Sequence, residues 1–208
     1  MKAILFIFLL FVLIANISCQ SMLFRLGGMR KPKIESAESL RKYIKQLNQS
    51  TEDIYAVDSA LFENLGTIPF KPGWPADFRP AQFRIYDKNY LPIVHWASCE
   101  GFLSDLKTFD TVPPRNQVNL DSTLNLQADL ARYFSIDGKQ VNVDIEPGYD
   151  YYIVVYVAHY LYRFNKQTFK AIDDYKIANP NLKIKVYKIC IDVMDWWDVE
   201  LETGISIH

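Results

Sequence analysis

The chain has 208 residues, half of them apolar and 14% aromatic, which is enough for a sizeable core and excludes an intrinsically disordered protein. Its 23 Lys and Arg stand against 24 Asp and Glu, so a net charge of -1 offers no overall field to attract nucleic acid. At the start, Lys2 precedes an unbroken apolar run from Ala3 to Ala15, which ends at the polar Asn16. Such a run has the length of a signal-peptide core and falls short of the ~18 to 20 residues that span a bilayer. Residues 1–18 therefore read as a signal peptide for export, with an uncleaved N-terminal anchor helix as the alternative. No later stretch is apolar for long enough to cross a membrane.

Asn16-Ile17-Ser18-Cys19 resembles a lipobox, although Asn16 stands where a strict one carries Leu. Looser versions resemble those of Bacteroidetes lipoproteins, which the Asn-, Lys- and Tyr-rich composition also suggests. The resemblance implies lipidation of Cys19 and a lipid-anchored protein of the bacterial cell envelope, on the outer membrane and facing the periplasm or the cell surface. Ordinary cleavage near Ser18 or Ser21, without lipid, is the alternative. Residues 19–33, with Gly27-Gly28 and Pro32, read as a tether, and residues 34–208 as a single α/β domain. With Cys19 taken by lipid, Cys99 and Cys190 remain in an oxidising compartment, either as one disulfide or as two separate buried thiols.

Ser36 has the position of an N-cap, and Leu40, Tyr43, Ile44 and Leu47 recur at helical spacing through about Asn48. A short strand is expected at 54–57 and a brief helix capped by Asp58-Ser59 through Leu65. Pro69, Pro72, Gly73, Pro75 and Pro80 make an irregular loop, pinned by Phe70, Trp74 and Phe78. Residues 82–86 and 92–97 read as a β-hairpin around the turn Asp87-Lys88-Asn89-Tyr90. Ser122 is placed to cap a helix carrying Leu124, Leu126, Leu130, Tyr133 and Phe134, and Asp137-Gly138 turns into an expected strand at 141–145. Tyr151 to Val157 is a continuous apolar run, as in a strand buried on both faces. A helix follows from about Tyr160 to Ala178, stopped by Asn179-Pro180, and then a strand from Leu182 to Ile191. The apolar phase shifts along that last strand, which predicts burial of both faces or a bulge near Tyr187. Strand, helix, strand predicts a parallel βαβ unit.

The run Val154-Val155-Tyr156-Val157-Ala158-His159-Tyr160-Leu161-Tyr162-Arg163-Phe164 resembles the strand-to-helix junction of thioredoxin-like proteins, which carries Trp-Ala-x-Trp-Cys-x-x-Cys. Ile189-Cys190-Ile191-Asp192 is similar to the second central strand of that fold. The resemblance covers about 50 residues and implies a shortened or degenerate thioredoxin-like fold: a central βαβ unit, a β-hairpin and covering helices. Leu161 and Phe164 occupy the two cysteine positions, beside His159. Redox exchange needs a low-pKa thiolate at that helix start and a second thiol one turn on. Neither is present, so the resemblance implies a scaffold without the oxidoreductase activity.

Other candidate chemistry is thin. Asp144 and Glu146 share one face of the expected strand, a spacing known among glycosidase carboxylates and equally that of a solvated strand end. His95, Cys99 and Glu100 are too few for a structural zinc site, and no other metal or cofactor set is evident. Trp196, Trp197 and Tyr160 are candidate binding aromatics. The reading is a non-catalytic envelope module that binds another protein or a ligand. Its rivals are a thiol-disulfide protein using Cys99 and Cys190, and a glycan-binding module using exposed tryptophans.

Overall fold

A computed structural model describes residue 30 and residues 32–62, 83–96 and 125–197, apart from the side chains of 94–96. In chain order these form α1 (Ala37–Gln46), β1 (Ile54–Ala56), β2 (Phe83–Asp87), β3 (Pro92–Trp96), α2 (Leu126–Leu130), β4 (Phe134–Ser135), β5 (Tyr151–Val157), a 3-10 turn (His159–Leu161), α3 (Tyr162–Ala178) and β6 (Ile184–Cys190). The strands make one six-stranded mixed sheet in the order β3-β2-β5-β6-β1-β4. β5 and β6 run parallel over their full length with α3 between them, so the βαβ unit is present as expected. β1 joins β6 in parallel, and β2 lies antiparallel to both β3 and β5.

Local chemistry explains most of these elements. Ser36 caps α1 by accepting the Ser39 N–H at 3.2 Å, and Leu40, Tyr43 and Ile44 form its buried stripe. The hairpin turns where the Asp87 carboxylate accepts the N–H groups of Asn89 and Leu91, both at 2.9 Å, and Tyr90 takes φ +66°. β6 is buried on both faces in unbroken register with β5, which accounts for its shifting apolar phase without a bulge.

Partners across the sheet share a face, so the registers sort the strand residues. One face carries Phe83, Ile85, Ile153, Val155, Val186 and Cys190, with Tyr151 at one end and Lys188 among them. The other carries Tyr55, Arg84, Tyr86, Tyr152, Tyr156 and Tyr187. On the tyrosine face, buried Arg84 meets Asp129 of α2 at 2.5 Å, and that carboxylate also accepts the hydroxyls of Tyr86 and Tyr133, at 2.8 and 2.9 Å. Tyr133 in turn meets the Tyr156 hydroxyl at 2.6 Å. Arg84 holds the Asp129 carboxyl below the usual range despite complete burial.

Two expected elements differ. Residues 141–145 form no strand: only Gln140 pairs, antiparallel to Phe134. Val141, Val143 and Ile145 are half-buried while their neighbours are exposed, so the alternation records one side resting on the body and no ladder. The helix expected from Ser122 through Phe134 is the short α2, capped by Asn125, whose Oδ1 accepts the Ala128 N–H at 2.7 Å. Tyr133 and Phe134 lie beyond it, Phe134 in β4. The proline-rich loop with Trp74, the Cys99-Glu100 stretch, residues 63–65 and the segment around Ser122 lie outside the described residues.

Candidate functional site

The carboxyl ends of β5 and β6 open side by side, and in parallel sheets such ends are where ligand sites collect. His159 is the second residue after β5 and Asp192 the second after β6. A third segment crosses the same edge. Glu35 donates its N–H to the Val193 carbonyl at 2.8 Å and accepts from the Asp195 N–H at 2.9 Å, pairing in parallel with Met194. Glu35 is thereby fixed just ahead of α1 and fully buried.

These three segments converge on His159. Its Nδ1 lies 2.7 Å from Glu35 Oε1, and its Nε2 lies 2.9 Å from the Arg30 guanidinium. A guanidinium only donates, so Nε2 accepts and the ring proton sits on Nδ1, which donates to Glu35. The other Glu35 oxygen accepts the Ser39 hydroxyl at 2.5 Å, and the Lys33 ammonium stands 3.3 Å from Oε1. The imidazole stacks on Tyr43 with centroids 4.4 Å apart. Tyr43 is anchored in turn, its hydroxyl donating to the Ala158 carbonyl at 3.1 Å and accepting from Asn165 Nδ2 at 2.5 Å. Asn165 Nδ2 also donates to that carbonyl, at 2.6 Å, while its buried Oδ1 has no partner among the described residues.

Asp192 holds the site from below. Its Oδ2 accepts the His159 backbone N–H at 2.7 Å and lies 3.5 Å from the Cys190 thiol. The N–H that Asp192 accepts is the first of the 3-10 turn leading into α3, so Asp192 ties down the start of that turn from the loop after β6. Burial pushes its carboxyl up to about 7, against the pull of that N–H and with a further push from Glu35. Burial likewise drives the Cys190 thiol well up and the Tyr160 phenol to about 12.

The residues singled out in the sequence separate accordingly. His159 is central, and Tyr160 lends its backbone carbonyl to the Arg30 N–H at 2.7 Å. Leu161 is buried and Phe164 half-buried against the core. Cys190 is a buried free thiol on the face that carries Phe83 and Ile153, and its expected companion Cys99 lies outside the described residues. Trp196 and Trp197 are pinned inward, their indole N–H groups donating to the carbonyls of Ile136 and Val57, each at 3.1 Å. Gly138, at φ +77°, lies under the Trp196 ring, where a Cβ would come within 2.7 Å of it. Asp144 and Glu146 are exposed, and Glu146 pairs with Lys185 at 3.1 Å. Among the described residues no group of three His, Cys, Asp or Glu is placed to hold a metal, and no helix is long and apolar enough to cross a membrane.

Sequence reasoning passed over Glu35, Arg30, Tyr43 as a stacking partner, and Asn165. Glu35 stands beside a helix cap, where an acid is ordinarily solvated, so its burial has no local signature. Comparison with known protein families, with curated protein sequences and with solved structures finds no match for this chain.

Proposed function

We propose that the chain is an exported lipoprotein of the bacterial envelope, tethered through Cys19 to the outer membrane, and that it works as a non-catalytic binding module. Its scaffold is a shortened thioredoxin-like core whose β5-to-α3 junction has become a recognition surface for another envelope protein. The hairpin comes before the βαβ unit in this chain. The observation that carries the reading is what fills the junction: a buried Leu161 and a His159 oriented by Glu35, with its outer nitrogen turned to the exposed Arg30. His159 Nε2 faces a guanidinium, which at neutral pH neither takes up nor releases a proton, so the arrangement orients and holds instead of shuttling protons.

The rivals lack comparable support. A redox nucleophile needs a depressed thiol pKa and access, whereas Cys190 is buried with its thiol pushed up. A sugar platform needs an open indole face, whereas buried Trp197 donates inward to Val57.

The test is site-specific photocrosslinking from position 160 in intact cells, read beside the mass of the mature N-terminus. One discrete crosslinked partner and an acylated Cys19 are expected. An unmodified N-terminus beyond Cys19 sinks the lipoprotein assignment, and the absence of any discrete partner sinks the binding assignment.

A further inference from the structure

Arg30 is an exposed side chain, yet three groups of the domain engage it. Its backbone N–H donates to the Tyr160 carbonyl at 2.7 Å, its guanidinium donates to His159 Nε2 at 2.9 Å, and its Cζ stands 4.2 Å over the Tyr162 ring. The acceptor is set by groups beneath it. Glu35 binds the Nδ1 proton, which fixes Nε2 as a lone pair facing outward, and Tyr43 fixes the plane of the ring.

We infer that the Tyr160 carbonyl, His159 Nε2 and the Tyr162 ring form an arginine socket, filled in cis by Arg30, that takes an arginine-bearing extended segment of a partner protein once Arg30 is displaced. The inference rests on the reading of this edge as the binding face and names the chemistry of what binds there. A flat, stacked donor suits the socket better than an ammonium, because a guanidinium can lie on the ring while donating sideways.

The cis occupant is exposed and meets no carboxylate among the described residues, which leaves it open to exchange. The cation sits at the N-terminal end of α3, where the helix dipole disfavours it, and its acceptor is a neutral imidazole. Arg84 shows the contrasting case of a permanent arginine, fully buried against a carboxylate. Groups facing the socket are Lys33 and Glu35 on the crossing segment, Ser39 and Tyr43 on α1, Tyr160 and Asn165 around the junction, and Cys190 and Asp192 after β6. A tethered arginine acts at an effective concentration on the order of millimolar, so it masks the socket from a free peptide.

The test uses the full chain and a blocked peptide of sequence Arg-Lys-Pro-Lys, that of residues 30–33, followed by NMR of the His159 ring. The Arg30→Ala chain is expected to bind the peptide at least about tenfold more tightly than the unmodified chain, with the imidazole resonances shifting. Replacing the peptide's arginine by lysine, or introducing His159→Phe, is expected to abolish the gain. Equal binding by both chains, or equal binding of the lysine peptide, overturns the socket. In the photocrosslinking experiment, a captured partner that excess peptide fails to displace overturns the socket and leaves the binding face standing. Peptide exchange without any captured partner supports the socket and overturns the binding-face reading.

Discussion

Asp129 and Glu35 are equally removed from water, yet they sit in clusters of opposite character. Asp129 lies inside the tyrosine face, with a guanidinium and two phenol hydroxyls aimed at it. Glu35 lies at the edge of the sheet, opposed by a neutral imidazole, a serine and a partly exposed lysine, with Asp192 near enough to repel it. The first cluster gives its carboxylate a buried guanidinium, with that of Arg132 also within 3.8 Å, and ties α2 to the sheet. The second is held by weaker partners, a ring N–H, a hydroxyl and one ammonium at 3.3 Å, and through His159 it reaches the exposed Arg30. Equal burial therefore goes with very different partners.

That contrast is open to test, most strongly at its interior end. Asp129→Ala leaves Arg84 buried without its carboxylate and orphans two phenols, and is expected to cost about 3 to 5 kcal/mol in urea unfolding. A loss under about 1 kcal/mol would mean that water reaches the cluster. Next in size is the pH response, where the two acids have opposite signs. Asp192 has its folded-state pKa raised from 3.8 to about 7, so its contribution is fully present below pH 4 and is lost as the pH rises through 7. The slope approaches 1.36 kcal/mol per pH unit, and the total is on the order of 4 kcal/mol at most. Asp129, with its pKa lowered, loses its contribution only as the pH falls below the ordinary carboxylate range. Thermal melts from pH 4 to 8 are expected to show Tm falling in the intact chain and nearly flat in Asp192→Asn; equal slopes would remove Asp192 as the cause.

Smaller effects sharpen the same division. Tyr43→Phe keeps the ring under His159 but deletes the hydroxyl between Ala158 and Asn165, at an expected cost of about 1 to 2 kcal/mol in denaturant unfolding. No change would mean that the anchor beneath His159 is dispensable. Arg41→Ala breaks the pair with Asp137 at 3.2 Å, in which both side chains are about half exposed, and is expected to shift stability by less than about 0.5 kcal/mol. A larger loss would show that surface charge matters here as much as the interior pair.

Local order was readable wherever it has a local cause. Ser36, the Leu40-Tyr43-Ile44 stripe and the Asp87 turn act within a few residues of themselves, and the Tyr151 to Val157 run is apolar enough to require the middle of a sheet. The false strand at 141–145 marks the limit of that reasoning, because a period of two reports one side turned inward and says nothing about a hydrogen-bonding neighbour. Trp196 and Trp197 show the same limit. Their abundance of ring was visible, but which way the rings point depends on Gly138, Ile136 and Val57, far away in the chain.

The sequence by itself determined the α/β class, the central βαβ unit, the hairpin and the absence of thiols at positions 161 and 164, since each follows from short-range periodicity, caps or residue identity. Only the tertiary structure decided that Arg30, Glu35, His159 and Asp192 meet. They come from three segments, with Glu35 and His159 124 positions apart and His159 and Asp192 33 apart. The protonation, burial and tautomer of each are fixed by the other two segments, and a charge acquires those properties only where the sheet brings its strand ends together.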